Sequence, residues 1–258
     1  MKKLLYVSFL SASLFSACAS ASSTLVDVPA QSGNSSAVSD DTSATSEGDL
    51  DISRIPMSPG LHVVPLNESP FVGALAAKIE QDIAEQSSRG VHTAEDVPDV
   101  RASLAHVRSS ALGGNEEVFT TLSQVKPHLY YEPASISQTL LEGLPLVDVS
   151  TAGGNRDGRW TGLSRSWEVA GLGLVQLDES EYADGGGSVT VIKEWLNTDI
   201  NGQPGTIQTM RGPDGATQVS LGWVTDHKVM RLNLQPVDPD ALAPNQEALL
   251  TMARSIRY

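Results

Sequence analysis

An α+β fold, with helices first and then an antiparallel β-meander followed by a C-terminal helix, is predicted by two changes of grammar along this 258-residue chain. Apolar residues recur at helical spacing in the segments between Pro70 and Gly143, whereas from Trp160 they fall in short alternating runs separated by turn residues. Helical spacing returns from Pro244. A third observation bounds the folded part: residues 19–58 are rich in Ser, Ala, Thr, Gly and Asp and almost lack large apolar side chains. Such a stretch cannot bury enough surface to fold. It reads as a tether, leaving 59–258 as one domain, helical over about 70–143 and sheet plus helix over about 160–258.

The first helix is expected over 70–88, with Ser69 as N-cap, Pro70 at the first helical position and Arg89-Gly90 as the stop. Leu75, Ile79 and Ile83 recur at i, i+4, i+8 and mark its buried face. A second helix is expected over 99–109 on Val100, Leu104 and Val107, a third from Asn115 through Val118, Leu122 and Val125, and a fourth over 135–142. Strands are expected over 167–177, 188–196, 206–210, 217–224 and 228–234. The turns between them include Gly185-Gly186-Gly187, Asn201-Gly202, Gly212-Pro213-Asp214-Gly215 and Thr225-Asp226-His227. Val189, Val191 and Trp195 share one parity, as do Val219, Leu221 and Trp223, so both tryptophans are expected on a buried face. The last helix, 244–255, is expected to cover it with Leu249, Leu250 and Ala253.

The N-terminal segment has Lys2 and Lys3, then an apolar run from Leu4 to Phe15, then Ser16-Ala17-Cys18, the only cysteine of the chain. Leu14-Phe15-Ser16-Ala17-Cys18 resembles the lipobox of bacterial lipoproteins. The resemblance implies a signal peptide over 1–17, diacylglyceryl attachment to the Cys18 sulfur, acylation of the new amino terminus, and a lipid-anchored protein of the cell envelope with its tether over 18–58. Several acyl chains hold a protein on a membrane far more firmly than one. Ala19, where a retention signal would carry Asp, favours an outer-membrane destination over the inner one in an organism that has both. Ala17-Cys18-Ala19 and Ala19-Ser20-Ala21 also fit small-x-small cleavage, which would release a soluble periplasmic protein. At about 5–6 Å times the square root of chain length, the tether lets the domain range roughly 30–40 Å from its anchor.

Removal of 1–17 takes two of the 17 basic residues and none of the 31 acidic ones, moving the formal charge from −14 to −16. A nucleic acid is a poor partner for such a surface, because Lys and Arg contacts to phosphate supply most non-specific affinity. A cationic protein is the charge-complementary alternative to simple solubility.

Motifs for chemistry are sparse. His62, His92, His106, His128 and His227 show no i, i+4 pair, so neither a metal nor a cofactor is expected. His92 with Asp96 and Asp99 is the nearest approach to a ligand cluster. Asn197 to Gly202 resembles the start of a calcium loop but lacks the glutamate at its end, where Gln208 stands, and reads instead as a strand end with an Asn-Gly turn. Gly162-Leu163-Ser164-Arg165-Ser166 lacks the second glycine of a nucleophile elbow. His128, Asp148 and Ser150 could form a triad only if the fold brings them together. Gly153 to Gly158 reads as a flexible loop. No catalytic residue is assigned. The acidic run Asp178, Glu179, Glu181 and Asp184 is the candidate partner-binding site, expected at a solvated hairpin tip where it would meet a cation or a basic protein. The block from Trp195 to Tyr258, through Asn201-Gly202-Gln203-Pro204-Gly205 and Ala253-Arg254-Ser255-Ile256, also resembles the hairpin-plus-helix ending of uncharacterised bacterial membrane-tethered domains, which implies a small α+β fold.

Together these readings point to a non-enzymatic binding domain in the periplasm. Two alternatives stand beside it: an immunity-like inhibitor of a cationic envelope toxin or enzyme, and an envelope hydrolase with a site assembled from distant residues.

Overall fold

A computed structural model describes residues 7–9, 49–101 and 119–258. Cys18, most of the tether, most of the second expected helix and the start of the third lie outside those residues. Among the described residues the fold mixes α and β: one large sheet, a small parallel sheet, and a C-terminal helix. No helix among them is long and apolar enough to cross a membrane.

The small sheet places β1 (Val7–Phe9) and β2 (Gly60–Val64) parallel to β7 (Ser188–Ile192), one on each side. Helix α1 runs Gly73–Arg89 and stops at Gly90 in the left-handed region, as the Arg89-Gly90 pair requires. Its start lies three residues after Pro70. Ser69 Oγ accepts from Phe71 N and donates to Leu66 O, and Leu50 bridges Phe71, so the chain there is already committed to a turn. In the described part of the third expected helix, 119–125, α2 runs Leu122–Val125, capped by Thr121 and Gln124. The fourth does not form. Over 135–142 the side chains bond the local backbone: Ser135 Oγ takes Ser137 N, Thr139 Oγ1 takes Leu141 N and donates to Ile136 O. Hydroxyls that supply such bonds compete directly with the helical ladder.

The large sheet uses β3 (His92–Thr93), β4 (Asp148–Arg156), β5 (Arg159–Val169), β6 (Gly173–Glu181), β8 (Thr198–Ile200), β9 (Gln203–Arg211), β10 (Thr217–Val224) and β11 (Lys228–Pro236). Its order is β3-β9-β10-β11-β6-β5-β4, with β8 on β9. Two antiparallel meanders, β4-β5-β6 and β9-β10-β11, are thus zipped together where β6 pairs β11. The run 167–177 is two strands, not one. Gly171 at φ +74° and Gly173 at φ +132° turn the chain between them, and a Cβ on Gly173 would lie 2.1 Å from Gln235 O. Gly153 to Gly158 is the end of the β4-β5 hairpin rather than a loose loop, with Asp157 and Gly158 both at positive φ as an Asp-Gly hairpin turn demands. Asn201-Gly202 makes the same kind of turn between β8 and β9.

One face of the sheet is the core. Trp167, Leu177, Leu221, Trp223, Met230 and Leu232 pack against Leu249, Met252, Ala253 and Ile256 of α3 (Leu242–Ser255) and its end. Trp223 is fully buried there. Trp195 is also buried but elsewhere: it sits in a single 3-10 turn and packs with Phe71, Ile79 and Ile192 beside α1, while Val189 and Val191 join Tyr182, Val224 and Val229.

Candidate functional site

The two faces of a strand alternate residue by residue, so the register of the sheet fixes what lies opposite the core. One cross-strand row on that second face reads Asp148, Ser166, Gln176, Asn233, Ser220, Gln208 through β4, β5, β6, β11, β10 and β9. The adjacent row reads Ser150, Ser164, Asp178, Arg231, Gly222, Thr206 over the same six strands. Neither row contains an apolar side chain. At about 4.8 Å per strand, the polar surface extends roughly 24 Å.

This is not an ordinary solvated sheet face. Ser166, Ser220, Thr206 and Gln208 are all buried, while Gln176, Asp178 and Arg231 in the centre are half-buried. The groups bond one another across strands: Gln176 Nε2 donates to Ser164 Oγ at 2.7 Å, Ser164 Oγ to Asp178 Oδ1 at 2.7 Å, Asn233 Nδ2 to Asp178 Oδ2 at 3.2 Å, and Ser220 Oγ to Asn233 Oδ1 at 2.8 Å. Burial pushes the Asp178 carboxyl up, opposed by the Ser164 hydroxyl and by Arg231. Burial likewise pushes the Arg231 guanidinium down, opposed by Asp178. Ser166 Oγ and Gln208 Oε1 are buried and have no hydrogen-bond partner among the described residues. An unmet buried polar group costs about 1–3 kcal/mol.

Both ends of the polar face are walled. Residues 94–101 cross one end from β9 to β5: Val97 packs on Met210, Asp99 accepts from Gln235, Val100 packs on Leu174, and Arg101 pairs with Glu168 at 2.8 Å. The apolar cluster of Tyr182, Val189, Val191, Val224 and Val229 closes the other. At the β9 edge, Thr206 Oγ1 donates to Trp195 O and Gln86 Oε1 accepts from Thr209 N, bringing α1 alongside. The result is a polar trough.

His92 sits under α1 with its ring edge-on to Trp195, 6.1 Å between centroids, and its Nδ1 has no partner among the described residues. Burial pushes its imidazole below the ordinary value, opposed by Asp82. A histidine whose folded pKa lies below its unfolded one contributes stability that is present above the unfolded pKa, about 6.5, and is lost as pH falls through the folded value. Denaturation midpoints should therefore fall on acidification below about pH 6.5, with a shallower fall in His92→Gln. Equal slopes in the two proteins would contradict this.

The acidic run is not a hairpin tip. Asp178, Glu179 and Glu181 belong to β6, a central strand, and only Asp184 is in the exposed turn that follows. Asp178 lies in the trough. Glu179 points to the core face, buried at 2 % exposure, where Arg165 Nη2 is 2.8 Å and Lys228 Nζ 3.6 Å away and Ala134 N donates to it. It therefore cannot serve as a rim charge for a partner. Glu181 and Asp184 do meet: Asp184 N donates to Glu181 Oε1 at 3.0 Å. His227, on the β10-β11 turn, joins them, the ligand-capable atoms of the three lying within 4.8 Å of one another. A cavity of about 50 Å³ adjoins this group, lined in part by Tyr130, Arg156 and Thr161. Sequence spacing could not show this meeting, because it depends on the pairing of β6 with β11.

Other sequence candidates do not converge. His128 packs on Phe119, 5.1 Å between centroids, and Phe119 packs with Val149 and Leu163, which face away from Asp148 and Ser150. Asp99 reaches Gln235 while His92 faces Trp195, and Asp96 is exposed. No family model, curated protein or solved structure matches the chain.

Proposed function

We propose that the protein is a cell-envelope domain, lipid-anchored through Cys18 after loss of residues 1–17 and β1 with them, whose role is binding rather than catalysis and whose binding surface is the polar trough. The supporting observation is the pair of cross-strand rows without an apolar residue, largely buried, internally hydrogen-bonded, and holding unpartnered atoms at Ser166 and Gln208. A protein loses stability by burying such a surface unless something else benefits. A partner that supplies complementary donors and acceptors is that benefit. Within the trough Asp178 faces Arg231, so its charge is largely compensated. Recognition should then rest on hydrogen bonds more than on long-range attraction, and salt should weaken it little.

Affinity co-purification of the tagged full chain from its own envelope extract, at low and high salt, tests this reading. The expected result is one stoichiometric partner retained at high salt and depleted by the double substitution Ser164→Ala, Asp178→Asn. A partner lost at high salt and indifferent to that double substitution would move the binding surface to the exposed carboxylates.

A further inference from the structure

We propose that Glu181, Asp184 and His227 form a site for a divalent transition-metal ion, zinc in particular, at the rim of the sheet and separate from the trough. The three residues come from two segments that the fold holds in fixed relation. Tyr182 N donates to His227 O at 3.0 Å and Tyr182 Oη to Thr225 O at 2.8 Å, so the end of β6 is tied to the β10-β11 turn. Gly186 N donates to Ala183 O and Gly187 N to Tyr182 O, closing the turn that carries Asp184.

The second observation is the state of Glu181. It is 8 % exposed and lines the cavity, yet no ion pair among the described residues includes it. Its cross-strand neighbour is Lys228, which would be the natural counter-ion. That lysine instead sends Nζ to Glu132 O at 2.6 Å and toward Glu179 at 3.6 Å. Arg156, also on the cavity, donates to Gly185 O. Glu181 Oε1 accepts from the Asp184 amide, which carries no charge to offset the carboxylate. A buried carboxylate without a counter-charge is costly, and a second carboxylate beside it makes it more so. A bound cation removes both penalties.

The donor set selects the ion. Calcium requires six to eight oxygen ligands, whereas two carboxylates and one imidazole match zinc with one position left open. Tetrahedral bonds of about 2.1 Å place ligand atoms roughly 3.4 Å apart. The present atoms lie within 4.8 Å, and Asp184 and His227, both exposed, can rotate to close the difference. The open position adjoins the cavity edged by Tyr130, Arg156 and Thr161.

Isothermal titration of the full chain in detergent, stripped with chelator and titrated with zinc chloride, tests the proposal. One saturable site per chain is expected, weakened by about tenfold or more in His227→Gln and in Glu181→Gln, with calcium chloride giving no such isotherm. His227→Gln lies on an exposed turn and leaves the core intact, so loss of binding in it reports the site itself. Absence of saturable zinc binding, or an unchanged isotherm in His227→Gln, overturns the proposal. Either result leaves the trough as binding surface untouched.

Discussion

Glu179→Gln should lower the unfolding free energy by about 3–5 kcal/mol, the loss found when one partner of a buried ion pair is removed. The carboxylate serves two cations at once. Arg165 is 1 % exposed and Lys228 is 7 % exposed, and both are directed at Glu179 on the core face. Glutamine retains the shape and leaves both cations in a low-dielectric interior without a negative charge. The same group anchors the segment 131–134: Ala134 N donates to Glu179 Oε2, Arg165 Nη2 donates to Ala134 O, Lys228 Nζ donates to Glu132 O and lies 4.5 Å over the Tyr131 ring, and Tyr131 Oη donates to Glu179 O. Loss of the charge should therefore also speed amide exchange over 131–134. Denaturant titration and hydrogen exchange measure the two effects. A change of less than about 1 kcal/mol, typical of a surface pair, would show that the network is not a structural unit.

Trp223→Ala should cost about 3–5 kcal/mol through a different mechanism, the cavity left by a buried indole. Trp223 is fully buried on the core face, opposite Met230 on β11 and Gly205 on β9, in the cluster completed by Leu249, Met252 and Ala253 of α3. Its removal takes away the surface on which the C-terminal helix rests, so exchange over 242–255 should rise with the fall in denaturation midpoint. Trp223→Phe should recover part of both. If Trp223→Ala left the exchange of α3 unchanged, the helix would have to be held by contacts other than this cluster.

The alternation in the second half of the chain made much of the sheet legible. β10 and β11 lie where the Val219-Leu221-Trp223 pattern and the Lys228 to Leu234 run place them, and the terminal helix covers the face carrying Trp223. The Asn201-Gly202 and Arg89-Gly90 signals act locally, through backbone conformations that other residues adopt only at a cost, so they also were readable. Errors arose where tertiary pairing decides. Trp167 to Leu177 looks like one apolar run, and only Gly171 and Gly173 betray the turn inside it. The acidic run looks like a solvated tip because clustered carboxylates usually are one. Asp178 and Glu179 instead lie in a central strand, where Arg231 stands opposite Asp178 and Arg165 and Lys228 meet Glu179.

The trough was half visible. Gln176, Ser220 and Gly222 stand between apolar neighbours, but Arg165, Glu179 and Thr209 break the alternation beside Ser164, Ser166, Asp178 and Gln208, so the sequence marks the polar face only in part and its burial not at all. What turns that face into a site is its partial enclosure by 94–101, by α1 with Trp195, and by the cluster around Tyr182. Those contacts join residues far apart in the chain, and no local pattern reports them. The cation site has the same origin, since Glu181 and His227 approach only because β6 is the neighbour of β11.

Site-specific photocrosslinking in cells of the source organism tests the central claim most directly. A photoreactive residue replaces Gln176, at the half-buried centre of the trough, and in a second full-length protein replaces Glu247, on the exposed side of α3 beyond the other sheet face. A defined adduct from position 176, and none from 247, is the result expected if the polar face binds. An adduct from position 247 alone, or the same adducts from both, would contradict it.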